Sequence, residues 1–165
     1  MPEKDHLCRD QDGNILVSIE KMSEEELSEN PLFTHCLAVV KAGDEYLLGR
    51  NRWRNRYEIF GGCREKGESP RDCILRECNE EFGFASVDIT YIGTMRLLLK
   101  PDCFSKEERE ELGGLYGISL PDISPEDMYS RIKDREEITD LRFYSRVRDK
   151  EPVARIDEKL LEYFA

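Results

Sequence analysis

Residues 61 to 84 read G-G-C-R-E-K-G-E-S-P-R-D-C-I-L-R-E-C-N-E-E-F-G-F, a glycine-rich loop that runs into a short amphipathic helix dense in carboxylates. Ser69 stands where an N-cap belongs, Pro70 at the favoured first helical position and Asp72 where a capping-box acid sits. Ile74, Leu75, Cys78 and Phe82 form an apolar stripe at helical spacing, and Gly83 supplies a left-handed stop. Glu77 and Glu81 are four residues apart and stack on one face, with Glu80 beside them. Like charges at that spacing destabilise a helix unless something compensates. Three carboxylates within five residues therefore point to a hard divalent cation, Mg²⁺ or Mn²⁺, whose preferred ligands are oxygens. A solvated acidic face is the competing reading, and composition does not separate the two.

The surrounding pattern does. It resembles the Nudix box, G-x5-E-x7-R-E-U-x-E-E-x-G-U, with U a bulky apolar residue. Gly62 is followed after five residues by Glu68, and seven more lead to Arg76-Glu77, Cys78, Asn79, Glu80-Glu81, Phe82, Gly83 and Phe84. Every specified charge and glycine is present; the departure is Cys78, which is small for its position but still apolar. The resemblance implies an α/β fold, a mixed central β-sheet flanked by helices with the box (62–84) as a loop–helix–loop. It also implies a Mg²⁺-dependent hydrolase (Mn²⁺ substituting) that cleaves the diphosphate linkage of a nucleoside di- or triphosphate derivative by water attack on phosphorus. Under that resemblance Glu77, Glu80 and Glu81 face the metal, Glu81 and Glu80 are catalytic, and a backbone carbonyl at Gly61 or Gly62 completes the site. Glu68 and Arg76 pair across the loop and hold it. Some members take their general base from a distal loop, and Glu136 or Glu137, just before a strand, stands in that place; Glu137 is the candidate.

The bounds agree. A chain of 165 residues fits one domain with a real core, and 37% charged with 39% hydrophobic residues is the balance of a soluble globular protein. A net charge of −11 argues against nonspecific binding to nucleic acid or to an anionic membrane. No apolar run approaches a membrane span, and M-P-E-K-D-H lacks the basic and apolar regions of a signal peptide. Six cysteines without a C-x-x-C pair read as reduced thiols, so the expectation is a cytoplasmic protein. His6 and His35 are too few and too far apart for a zinc site.

Along the chain, residues 1–33 read as an N-terminal hairpin and a short acidic helix capped by Ser23, an extension packed on a Nudix domain at 34–165. Its role as tail, lid or homodimer arm stays open. T-H-C-L-A-V-V-K and E-Y-L-L-G-R form a hairpin around Ala42-Gly43-Asp44. Next comes R-N-R-W-R-N-R, with Arg50, Arg52, Arg54 and Arg56 around the only tryptophan, Trp53. Arg50, Arg52, Trp53 and Arg54 are the candidate substrate-binding residues, the arginines for phosphate and Trp53 for stacking on a ring. A charged strand edge is the alternative. After the box a long strand ends at Pro101, and residues 102–111 read as a loop or short helix. L-G-G-L-Y-G-I-S-L is a strand, Ser124-Pro125 opens a helix, I-T-D-L-R-F-Y-S is a strand, and 154–164 is a terminal helix.

Three readings compete with hydrolysis of a small nucleotide, and one of them, an RNA decapping enzyme, usually carries a basic RNA-binding surface that a net charge of −11 argues against. A non-catalytic nucleotide sensor of the same family often lacks box carboxylates that this chain keeps. An isopentenyl diphosphate isomerase-like protein needs a catalytic cysteine where Gly61 aligns, and Cys63 is displaced by two. The box handles only a diphosphate, so the nucleotide substrate itself is not specified.

Overall fold

A computed structural model describes residues 6–82, 88–103, 105–133 and 135–165, with backbone but not side chains for Glu81 and Phe82. The expected stop at Gly83 lies outside the described residues. One mixed sheet organises the chain. Its strands are β1 (Cys8–Arg9), β2 (Ile15–Glu20), β3 (Phe33–Ala42), β4 (Glu45–Asn51), β5 (Arg56–Glu58), β6 (Phe60–Cys63), β7 (Asp88–Leu99), β8 (Arg109–Leu120) and β9 (Ile138–Phe143). They run in the order β1-β2-β7-β8-β3-β4-β5, with β6 also pairing β3 and β9 pairing β4. The β3–β8 pair is parallel, Cys36 against Gly114 and Val40 against Ile118, while the other ladders are antiparallel.

A strand covered on both faces reads as a near-continuous apolar run, and β3 is such a strand. Its Cys36, Ala38 and Val40 enter one core with Cys73, Ile74 and Cys78 of helix α2 (Pro70–Phe82). Val39, between them, points to the opposite core with Ile156 and Leu160 of helix α5 (Arg155–Leu160). The shorter helices are α1 (Glu24–Ser28), α3 (Pro125–Tyr129) and α4 (Tyr144–Val147). Ser23 and Glu26 form a complete capping box on α1, and Ser124 caps α3 by accepting from Asp127 N–H.

Three local readings change. Leu75, expected in the apolar stripe of α2, is 41% exposed, and fully buried Cys73 takes the inward position. The segment 102–111 is neither loop nor helix at its end: β8 begins at Arg109, whose guanidinium bridges Asp102 and Glu111. Tyr144 and Ser145 leave strand β9 and open α4, and the terminal helix tightens to a 3-10 turn over Leu161–Tyr163. Among the described residues no disulfide forms, and no helix is long and apolar enough to cross a membrane.

Candidate active site

Strand β6 brings the chain against β3 and hands it to α2 through the glycine-rich loop. A Cβ at Gly61 (φ 136°) would collide with the carbonyl oxygen of Cys36, so glycine is required for this approach. At Gly62 an added Cβ would lie 2.5 Å from Glu77 Oε1. The Glu77 carboxylate therefore lies directly over the Gly62 backbone.

Arg76 holds this arrangement. Its Nε and Nη2 donate to the two oxygens of Glu68 at 2.8 and 3.0 Å, and Nη2 also reaches the Cys63 carbonyl at 3.0 Å. Nη1 donates to Glu77 Oε1 at 3.0 Å and lies 3.4 Å from Glu80 Oε2. Glu68 Oε1 also accepts from Glu65 N–H at 2.9 Å, and the Arg76 fork holds its carboxyl down at about 2. Glu77 goes the other way. Burial pushes its carboxyl up, Arg76 opposes this, and the charges of Glu80 and Glu137 push further in the same direction as burial.

The loop opens on a cleft of about 460 Å³. Glu77, Gly61, Gly62 and Cys63 form one wall, and Glu137 and Ile138 stand at the start of β9. The turn between β4 and β5 contributes Asn51, Arg54, Arg56 and Glu58; α5 contributes Asp157; the N-terminal turn contributes Asp10. Asp157 Oδ2 accepts from Ile59 N–H at 2.9 Å, and burial raises its carboxyl to about 7, with Glu58 adding to the effect and Arg56 and Arg54 opposing it.

Of the four residues expected to bind substrate, Arg54 lines the cleft; Arg50, Arg52 and Trp53 do not. Arg54 forks onto Glu58 at 2.7 and 2.8 Å, and Arg56 bridges Glu58 and Asp12 at 3.1 and 3.0 Å. Arg50 donates to Asn55, and Trp53, on the turn, is 68% exposed. Sequence reasoning missed Asp10, Asn51 and Asp157. Asn51 carried a usable signal, an Asx-turn former at the end of an apolar strand; Asp157 is one polar position of an amphipathic helix and carried none.

Among the described residues, no three His, Cys, Asp or Glu side chains already gather at metal-binding distance. The Glu81 side chain, the remaining box carboxylate, is outside them. The donors present nevertheless suit Mg²⁺ or Mn²⁺: Glu77 is packed on Gly62 without room for a Cβ, and the fields of Glu80 and Glu137 fall on it.

A family model described as NUDIX domain matches residues 33–164. The NAD-capped RNA hydrolase NudC of Pseudomonas putida (strain W619) is 38% identical over 60 residues, 35% of this chain and 22% of that protein. The match thus spans about a fifth of that relative's length. Among solved structures, a MutT NUDIX hydrolase from Burkholderia pseudomallei superposes with a TM-score of 0.60 at 18% identity, over 83% of this chain and 100% of that one. The Bacillus subtilis pyrophosphohydrolase BsRppH gives 0.57 at 19%, over 87% and 79%. The NUDIX domain of Shewanella oneidensis NrtR, solved with ADP ribose, gives 0.53 at 14%, over 82% and 86%. At such identities these likenesses speak for the fold.

Proposed function

The chain belongs to the Nudix family, and on that footing we propose that it is a pyrophosphohydrolase, dependent on Mg²⁺ or Mn²⁺, that acts on a nucleotide carrying a diphosphate linkage. The observation that carries this reading is the Glu77 carboxylate, laid over Gly62, anchored by Arg76 and facing the same cleft as Glu137. Glu77, Glu80 and Glu81, with the Gly62 carbonyl, would hold the metal. When bound, the ion neutralises the diphosphate and lowers the pKa of water. Glu68 acts through Arg76, which it fixes in the orientation that presents Glu77.

The reaction balances with this chain's own groups. Water attacks phosphorus, the bridging P–O bond breaks, and Glu137 takes the proton that the attacking water loses. Proton acceptance at a positioned carboxylate contributes about 10²–10⁴-fold in comparable sites. Arg54 and Arg56 are held by Glu58 and Asp12, so they offer the substrate oriented N–H groups and little net charge.

The test is Mg²⁺-dependent release from a panel of nucleoside triphosphates, dinucleoside polyphosphates, ADP-ribose and nucleotide sugars. Glu81→Gln is expected to fold normally and to lower kcat by at least about 100-fold. Turnover that stays near normal in that variant at saturating Mg²⁺ would falsify the assignment. Metal-dependent binding without release from any substrate would instead make the protein a nucleotide sensor.

A further inference from the structure

We propose that Asn51 is the positioning residue for Glu137, which deepens the reading above and rests on Glu137 as the proton acceptor. Asn51 ends β4 and is a buried polar residue, 4% exposed. Its Oδ1 accepts from Trp53 N–H at 3.0 Å and from Arg54 N–H at 2.9 Å, and its Nδ2 reaches Glu137 Oε1 at 3.4 Å. These partners settle which way the amide points: two backbone donors require its oxygen, so the NH₂ faces the carboxylate. The same turn holds the Glu137 backbone, because Arg52 N–H donates to the Glu137 carbonyl at 2.9 Å. Across the ladder Asn51 pairs with Ile138. Side chain and main chain of Glu137 are thus both tied to one turn.

The choice of an amide has a chemical reason. Glu137 stands in the field of Glu77, which repels its carboxylate from the cleft. A lysine or arginine at position 51 would counter that repulsion, but would also lower the proton affinity of the group meant to accept a proton. A neutral N–H donor holds the carboxylate in place and takes less of its proton affinity than a cation would. Because Glu137 immediately precedes β9, at a loop–strand junction, this second support sets how closely it is aimed.

Asn51→Asp separates the two roles of the residue. It keeps an oxygen for the Trp53 and Arg54 N–H groups, removes the donor to Glu137 and sets a like charge against it. The expected result is a fall in kcat of about 10- to 100-fold with KM changed less than about threefold, and a lower unfolding midpoint, because a second carboxylate is buried beside the first. In a Glu137→Gln background, where the new amide can donate to the introduced carboxylate, N51D is expected to cost less than about twofold more. Equal losses from N51D in both backgrounds, or an unchanged kcat in the parent background, would overturn the proposal. Full kcat in Glu137→Gln alone would remove the proton-acceptor assignment and this inference with it, while hydrolase activity in the parent protein would stand. Asn51→Ser, with an oxygen for the turn but too short to reach Glu137, takes the place of N51D if that variant does not fold.

Discussion

Two carboxylates near the cleft are driven in opposite directions by their neighbours. The Arg76 fork holds Glu68 at about 2, so its contribution to stability is present above the ordinary carboxylate range and is lost as pH falls through about 2. Burial raises Asp157 to about 7, with Glu58 adding to that effect. Here the sign reverses. The folded state keeps a proton that the unfolded chain releases near 3.9, so this group weakens the fold as pH rises from about 4 to 7, and its effect is constant above that. A neutral amide in place of the acid would remove the penalty while still accepting from Ile59 N–H. Asp157→Asn is therefore expected to be more stable than the parent at pH 8, with the difference vanishing near pH 4 at a slope of at most about 1.4 kcal/mol per pH unit. Urea unfolding of both proteins across that range measures it, and parallel curves would mean that Asp157 has the same proton affinity in the fold as in the unfolded chain. Nothing in R-I-D-E-K-L sets Asp157 apart from Glu158 by pattern. Its burial arises only when α5 lays it against the Ile59 amide, a long-range event.

Helix α2 was legible as a helix because its signals are local: the Ser69 cap, with Asp72 N–H donating to Ser69 Oγ at 3.1 Å, and Pro70 at the first position. Its rotation was not legible. The inward face has to deliver Glu77 to Gly62, which turns Cys73, Ile74 and Cys78 into the core and leaves Leu75 on the surface. An apolar stripe read on its own cannot register that a carboxylate claims one edge of the buried face. Helix α1 was likewise half visible, through its Ser23 cap, but its tie to α2 was not. Glu24 takes a fork from Arg71 of α2 at 2.8 and 3.1 Å and accepts from the hydroxyl of buried Tyr116 at 2.8 Å. The Arg71 guanidinium in turn lies 5.2 Å from the Tyr116 ring centroid. The extension thereby grips the first turn of the helix that carries the carboxylates. Glu24→Ala is expected to cost about 1–3 kcal/mol, because it strands a buried hydroxyl and an oriented guanidinium. The urea midpoint reports it; a loss below about 0.5 kcal/mol would assign the contact to solvated surface.

At the scale of the molecule the net charge of −11 was plain in the sequence, and its concentration was not. Asp10, Glu58, Glu77, Glu137 and Asp157 come from five separate segments and meet in one cleft. For Glu77, Glu58 and Glu137 that convergence follows from the β3–β6, β4–β5 and β4–β9 ladders, which local pattern does not encode. The arginines that join them, Arg54 and Arg56, are tied to Glu58 and Asp12, so the cleft presents an excess of negative charge. Each carboxylate–phosphate pair about 6 Å apart then costs roughly 0.7–3 kcal/mol between effective dielectric constants of 80 and 20. A polyphosphate cannot settle there unaccompanied. Metal removal is therefore expected to abolish substrate binding as well as turnover, with the Kd of a non-hydrolysable nucleotide rising at least about 100-fold when Mg²⁺ is replaced by EDTA. Calorimetric titration with and without the ion decides this. Binding that persists in EDTA would mean that Arg54 and Arg56 leave their carboxylates to hold the phosphates, and would move the source of affinity from the metal to the β4–β5 turn.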